Sequence, residues 1–269
     1  MQNQQYRYLE AFADELRSKG KYSFTLTDLR NKYDLSDEAF KKALQRLAHK
    51  KEVARVRQEF YVIVPPEYRS RGVLPTSFFI DDLMKFLKRD YYAGLLTAAS
   101  FYGAAHQQPQ EFYVVTVKPT LRAINTSKLK IRFFYKKEWN ASDIKERKVE
   151  TGFIKISSPE LTALDLVTYA DKIGGLNRVA TVLEELAEQM DKKVLIQTAT
   201  AYKNVATVQR LGFLLETLEK NELADALIQY LEGVKHFPIL LRPQNEKPST
   251  MVTGNRWKVV ANTKIEADL

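Results

Sequence analysis

Residues 36–64 read SDEAFKKALQRLAHKKEVARVRQEFYVIV, and their hydrophobic period changes part-way along. Behind Ser36, a good helix N-cap, apolar side chains recur every three or four residues, as on one face of a helix. The period then becomes two, in residues 53–57 and again in 60–64, with a two-residue turn between them. This pattern predicts an amphipathic helix followed by a β-hairpin that ends at Pro65, which cannot donate to a sheet.

Two further helices precede this segment. Residues 6–19 have one apolar face and Gly20 as a stop, and Thr25 can cap a second helix, with Asp28 three residues later. The order helix, short strand, helix, helix, strand, strand is typical of a winged helix-turn-helix. Such a motif places its third helix in the major groove. Docking of another protein on the same module remains an alternative.

The charges of this region favour duplex DNA as the partner. Seven Lys or Arg and three acids between Ser36 and Arg57 leave +4, and each cation placed on a phosphate releases counterions. Lys41, Lys42, Gln45 and Arg46 are expected to reach the groove, where an amide suits adenine and a guanidinium suits guanine. Phosphate contacts are expected from Thr25, Thr27, Lys50, Arg55 and Arg57. A merely solvated helix face is the alternative.

Whole-chain properties bound the class of protein. The 269 residues carry a net charge of +9 and 45% hydrophobic residues, which predicts a globular protein with an anionic partner. The absence of cysteine excludes disulfides, thiol catalysis and thiolate zinc sites. No leader-like or membrane-length apolar run is present, so a cytoplasmic location and no membrane partner are expected.

The predicted fold class is α+β, an N-terminal winged helix-turn-helix followed by a larger mixed domain with a small β-sheet and a helical bundle. Residues 1–66 form the expected DNA-binding domain, 67–77 a linker and 78–269 the second domain. Strands are predicted at 112–117, 129–135 and 152–157, with helices beyond Ser158-Pro159. A short helix is predicted near Asp81, a tightly packed small-residue helix over 91–105, and an edge strand over 255–262.

A second basic region lies outside the predicted winged helix. Eleven Lys or Arg and four acids between Lys118 and Lys155 leave +7. We interpret this region as a possible second anion-binding face for DNA or RNA, with plain solvation an equal alternative. Its members are Arg122, Lys128, Lys130, Arg132, Lys136, Lys137, Arg147 and Lys148.

The N-terminal module and five further features, in their order along the chain, resemble the AbiEi antitoxins of type IV abortive-infection toxin–antitoxin systems. The five features are the Tyr92–Gly103 segment, the Ser158–Val167 segment, Gly174-Gly175 before a helix, a Leu211-Gly212 break, and an Arg256-Trp257…Asn262 tail. The resemblance implies a phage-defence repressor that binds operator DNA, expected to carry inverted repeats, through its N-terminal domain. It also implies that the C-terminal domain counteracts a nucleotidyltransferase toxin, without requiring a stable complex.

An enzyme is the competing interpretation. A metal-dependent nuclease or nucleotidyltransferase on the basic sheet would use carboxylates such as Glu150, Glu160 and Asp165. Glu160 and Asp165 are five residues apart, a poor match for one helical face, and we interpret Asp165 as a buried carboxylate that caps a neighbouring loop. No phosphate-loop or hydrolase motif is present. We therefore predict no catalytic residue, no metal and no cofactor. The three histidines, His49, His106 and His236, lie far apart in sequence.

Overall fold

The computed structural model describes residues 7–105, 109–245 and 253–266. They form two compact units, each built from more than one stretch of chain. The first unit comprises Met1–Tyr91, Thr116–Tyr135 and Glu146–Lys155. The second comprises Tyr92–Val115, Lys136–Lys145 and Ile156–Leu269. Helices and strands are mixed throughout, which confirms an α+β class.

The first unit begins with the predicted order of elements: α1 (Arg7–Ser18), β1 (Ser23–Thr25), α2 (Leu26–Lys32), α3 (Asp37–His49), β2 (Val53–Arg57) and β3 (Phe60–Ile63). The three strands form an antiparallel sheet in the order β1-β3-β2. The apolar faces of the three helices and this sheet enclose one core. Its buried aromatic and aliphatic members include Leu9, Phe12, Phe24, Leu29, Phe40 and Leu47.

Helix α4 (Ile80–Phe86) packs against strand β3 through Phe60, which is not part of this core. The Phe60 ring lies 6.5 Å from the Phe79 ring and 5.5 Å from the Phe86 ring, and Ser23 donates a hydrogen bond to Asp82. The helix predicted near Asp81 is therefore confirmed, one residue earlier.

A second, six-stranded sheet contains β4 (Tyr91–Ala93), β5 (Phe112–Thr116), β6 (Ile124–Asn125), β7 (Lys130–Tyr135), β8 (Ile144–Val149) and β9 (Gly152–Ser157). Its order is β6-β7-β5-β4-β9-β8, and β4 pairs with β9 in parallel. The three predicted strands correspond to β5, β7 and β9. Strand β8 was not predicted, because four consecutive charged residues give an edge strand no apolar alternation.

The helix predicted over 91–105 is wrong in its first part. Tyr91–Ala93 form buried strand β4, and α5 spans only Leu95–Phe101. A Cβ added at Gly94 would lie 3.0 Å from the Tyr92 ring and 3.2 Å from Val115, so the small residue serves close packing beside a strand. Tight packing of α5 itself is confirmed, since Ala98 and Ala99 have no exposed surface.

The second unit ends in a helical bundle of α6 (Pro159–Thr168), α7 (Gly175–Leu186), α8 (Lys192–Tyr202), α9 (Val205–Thr217) and α10 (Asn221–Glu232). Helix α6 contacts α5, α7, α8 and α9, and its residues from Glu160 to Val167 are all buried. Ser158 accepts a hydrogen bond from the Leu161 amide, which confirms the predicted cap before Pro159.

The C-terminal tail differs from its prediction. Only Val259–Val260 form a strand, β11, which pairs in parallel with β10 (Ile239–Leu240). The predicted break at Leu211-Gly212 is also wrong, because α9 is continuous there. Gly212 instead leaves room for the indole of Trp257, which is fully buried against it. Among the helices of the described residues, none has the length and apolarity that a bilayer crossing requires.

Candidate nucleic-acid interface

Helix α3 presents opposite chemistry on its two faces. Ser36 caps it by accepting a hydrogen bond from the Ala39 amide, and Asp37 and Glu38 occupy the first turn, where the helix dipole favours acids. Its buried face consists of Phe40, Ala43, Leu44 and Leu47. Its exposed face contains the predicted groove residues Lys41, Lys42, Gln45 and Arg46, together with His49. One helix therefore carries a continuous polar row with cations and an amide.

The hairpin beside α3 has the same two-sided character. Val53 and Val56 are buried, while Arg55 is exposed and Arg57 is half-buried. Glu59, in the turn between β2 and β3, has a φ of 60°, the left-handed geometry of a tight turn. The two predicted phosphate-contacting arginines therefore lie on the strand that leads into this turn.

Two of the predicted phosphate contacts already have partners within the fold. The Thr25 hydroxyl accepts from the Asp28 amide at 3.1 Å and the Thr25 amide donates to the Asp28 carboxylate at 2.7 Å, which forms a capping box. The hydroxyl also donates to that carboxylate at 2.7 Å. The Thr25 hydroxyl proton is therefore already used within the fold, which argues against the predicted phosphate contact. The Lys50 ammonium lies 2.8 Å from Glu10, and this hydrogen bond raises the pKa of Lys50. Thr27 is exposed.

An ion pair fixes the entry to α3. Arg30 of α2 donates two hydrogen bonds to Asp37, at 2.9 and 2.7 Å, and the pair lowers the pKa of Asp37. Arg30 also lies 4.0 Å from Glu59 in the hairpin turn. One guanidinium thus links α2, the first turn of α3 and the hairpin, and helps to set their mutual orientation.

The cations of the second basic region are divided between the two units. Arg122, Lys128, Lys130, Arg147 and Lys148 are exposed and Arg132 is half-buried, all in the first unit. Lys137 is exposed but belongs to the second unit. The prediction that Lys136 belongs to an anion-binding face is wrong, because its ammonium lies 2.8 Å from Asp165 and only 14% of its side chain is exposed. Lys118 and Lys155 are also exposed cations of the first unit. They were not among the predicted anion-binding candidates, although they are the first and last residues of the basic region.

Asp165 is the centre of a buried polar cluster in the second unit. Its carboxylate accepts hydrogen bonds from Tyr92 at 2.7 Å and Tyr202 at 2.8 Å, besides pairing with Lys136. The Lys136 ammonium also lies 3.8 Å from the Tyr202 ring centroid. Burial, and then the charge of Asp165, raise the pKa of both tyrosines. The expected burial of Asp165 is confirmed, but the expectation that it caps a loop is wrong, since its partners are three side chains.

The other carboxylates of the enzyme interpretation are separately accounted for. Glu160 is buried and accepts a hydrogen bond from the Asp191 amide at 2.9 Å, and Glu150 is exposed. Within residues 7–105, 109–245 and 253–266, no three His, Asp or Glu side chains are grouped to hold a metal ion. His49 is exposed, the His236 ring is bonded to the Val234 carbonyl, and His106 lies outside the described residues.

Comparison with known proteins places part of this chain in a family. Residues 92–217 match the family described as the AbiEi antitoxin C-terminal domain. No curated protein matches the chain. A solved structure, titled the crystal structure of RV2827C protein from Mycobacterium tuberculosis, is similar over 92% of this chain and 89% of that one. Its TM-score is 0.65 at 13% sequence identity, so this likeness concerns the fold alone.

The matched region runs from strand β4 to the end of α9 and includes all four members of the Asp165 cluster and the Ser158-capped helix. It includes four of the five segments on which the sequence resemblance rests, while the 256–262 tail and the N-terminal module lie outside it. Over residues 92–217 the chain is similar to the AbiEi antitoxin C-terminal domain.

Proposed function

We propose that this chain is an antitoxin that also represses its own operon, with residues 1–66 acting as a winged helix-turn-helix on operator DNA. One observation carries the proposal: the exposed row of α3 adjoins a hairpin with two arginines on β2. Such a helix fits the major groove, while hairpin cations contact the flanking phosphates. The similarity to an AbiEi antitoxin domain supports the antitoxin part.

Residue roles follow from exposure and chemistry. Gln45 and Arg46 have the side chains that read base edges, and Lys41 and Lys42 lie one turn earlier on the same exposed surface. Thr27, Arg55 and Arg57 would hold phosphates, and Lys50 would do so after exchanging its Glu10 partner for a phosphate. These contacts would act where the operon is transcribed, in the cytoplasm.

The second role belongs to residues 78–269, which we propose counteract a nucleotidyltransferase toxin, with residues 67–77 as the linker. The family match begins at residue 92 and excludes α1, α2 and α3 entirely. Repression and toxin neutralisation should therefore be separable by substitution. A stable complex with the toxin is not required for this proposal.

Binding to the chain's own promoter tests the repressor role. Arg46→Ala is expected to cost about 1–3 kcal/mol and to relax sequence preference at one base pair. Arg178→Ala, an exposed arginine of the second unit, is the matched control and should leave binding unchanged. An equal loss by Arg46→Ala on promoter and random DNA would show that Arg46 touches only phosphate. Full retention of promoter binding would contradict the proposed role of α3.

Co-expression with the product of the adjacent toxin gene tests the antitoxin role. Arg46→Ala should derepress a promoter reporter and still protect cells from the toxin. Protection lost together with repression, at unchanged protein level, would show that the two roles are not separable.

A further inference from the structure

The net positive charge of the chain is confined to one compact unit. The first unit contains 26 Lys or Arg and 15 Asp or Glu, for a net charge of +11. The second contains 16 and 18, for a net charge of −2. Residues 1–66 account for only +4 of the first unit's charge, with 13 basic and nine acidic residues. The remaining +7 therefore lies outside the proposed winged helix but within the same unit.

Most of that remainder comes from two strand-containing segments, 116–135 and 146–155. They contain eight basic residues and two acids. Seven of the eight basic side chains are exposed, and within the part of the chain that the structure describes none of these seven is in an ion pair. This differs from the N-terminal module, where Arg30, Lys32 and Lys50 are paired with acids. The seven are Lys118, Arg122, Lys128, Lys130, Arg147, Lys148 and Lys155.

Residues between the N-terminal module and these segments connect the two. The Phe78 ring packs edge-on against Tyr22, just before β1, with ring centroids 6.0 Å apart. The Phe78 carbonyl accepts a hydrogen bond from Thr151, in the turn before β9, at 2.8 Å. Arg89 donates to the Lys118 carbonyl at 3.0 Å. The basic strands and the proposed winged helix therefore belong to one packed body.

The strands present their cations on solvent-facing surface. In β9, Ile154 is buried while Phe153 and Lys155, on either side of it, are exposed, Phe153 by 57%. Strand β8 is an edge of its sheet, and Arg147 and Lys148 in its middle are both exposed. A charged edge strand resists pairing with another sheet, and it also leaves its cations accessible to a polyanion.

We propose that these strand cations bind phosphates of duplex DNA beyond the segment that α3 reads, so that the first unit contacts a longer footprint than its helix-turn-helix alone. This proposal rests on the proposed function, because binding of α3 to DNA would bring the strand cations close to the same duplex. Once α3 is bound, the other cations of the same body meet flanking phosphates at high effective concentration.

Duplex DNA fits this surface better than single-stranded RNA does. Single strands are held by successive aromatic rings that stack on their bases. Within the two fully described segments, Phe153 is the one exposed aromatic ring among eight cations. Scattered cations with little aromatic surface are the chemistry of backbone contact, which carries no sequence information.

The test compares salt dependence between two triple variants of the full chain. Lys130→Gln, Arg147→Gln and Lys155→Gln together remove three strand cations. Arg178→Gln, Lys193→Gln and Lys235→Gln remove three exposed cations of the second unit and give the same net charge. The probes are a promoter fragment of about 60 base pairs and a duplex of about 20 base pairs, two helical turns, centred on the protected site.

On the long fragment, the strand triple should flatten the plot of log affinity against log salt by about 2.7, at about 0.9 for each lost phosphate contact. On the short duplex its slope should approach that of the wild type, and the control triple should retain the wild-type slope on both. A wild-type slope for the strand triple on the long fragment would overturn this inference. The role of α3 would still stand if Arg46→Ala lost sequence preference in the same assay.

A single-stranded RNA of the same length as the long fragment tests whether the strand cations bind RNA instead of duplex DNA. Should the wild type bind this RNA and no duplex, with RNA binding lost in the strand triple, the inference would be overturned and the surface reassigned to RNA. The proposed operator binding would fail in that same result.

Discussion

Substitution of Gly212 by alanine should destabilise this protein, although it lies inside a helix. Glycine to alanine within a helix normally stabilises by about 0.5–1 kcal/mol, because alanine loses less backbone entropy. Here the added methyl would overlap three carbons of the Trp257 ring, well inside van der Waals contact. The indole is fully buried and its N–H donates to Glu216, while the backbone carbonyl of Trp257 accepts a hydrogen bond from Gln209.

The size of the effect follows from the two ways in which the overlap can be relieved. Local overpacking costs about 1–3 kcal/mol, and expulsion of a buried tryptophan costs about 3–5 kcal/mol. After subtracting the helix-propensity gain, Gly212→Ala should lower the free energy of unfolding by about 2 kcal/mol. Removal of the ring should reverse the sign. On a Trp257→Ala background the same substitution should stabilise by about 0.5–1 kcal/mol.

Urea denaturation followed by far-UV circular dichroism measures all four members of this double-mutant cycle. The informative quantity is the coupling energy between residues 212 and 257, expected near 3 kcal/mol. If Gly212→Ala were equally stabilising with and without the indole, the proposed packing of the tail on α9 would be refuted.

Two further predictions concern the Asp165 cluster. Asp165→Asn leaves the Lys136 ammonium without its carboxylate, so thermal denaturation should show a loss of unfolding free energy on the order of 3 kcal/mol. Adding Lys136→Met should recover part of that loss. Nuclease or nucleotidyl-transfer activity with magnesium that Asp165→Asn abolishes would instead support the enzyme interpretation. The raised pKa values of Tyr92 and Tyr202 predict stability that is complete below the unfolded value of about 10 and declines as pH rises above it, because the folded state disfavours the phenolates. Tyr92→Phe should flatten that alkaline decline in melting temperature, and an unchanged decline would contradict the assignment.

Local rules were sufficient for much of the fold. The Ser36 and Ser158 caps and the change of period at Val53 were readable from neighbouring residues, and each was found where the sequence placed it. Caps, turns and amphipathic faces depend on spacings of a few residues, so they need no knowledge of distant partners. The candidate residues on α3 follow from the same local pattern, because the face opposite a buried stripe must be exposed.

Tertiary structure decided what depends on distant partners. The spacing of residues along the sequence could not reveal that Lys136 pairs with Asp165 or that the Trp257 ring packs against Gly212. Nor could it reveal that charged residues 145–148 form an edge strand. Composition established the charge of +9, but the folding of separate stretches of chain into one body concentrated it in the first unit. These features arise because burial and pairing depend on which distant segments come into contact, and local periodicity contains no information about those contacts.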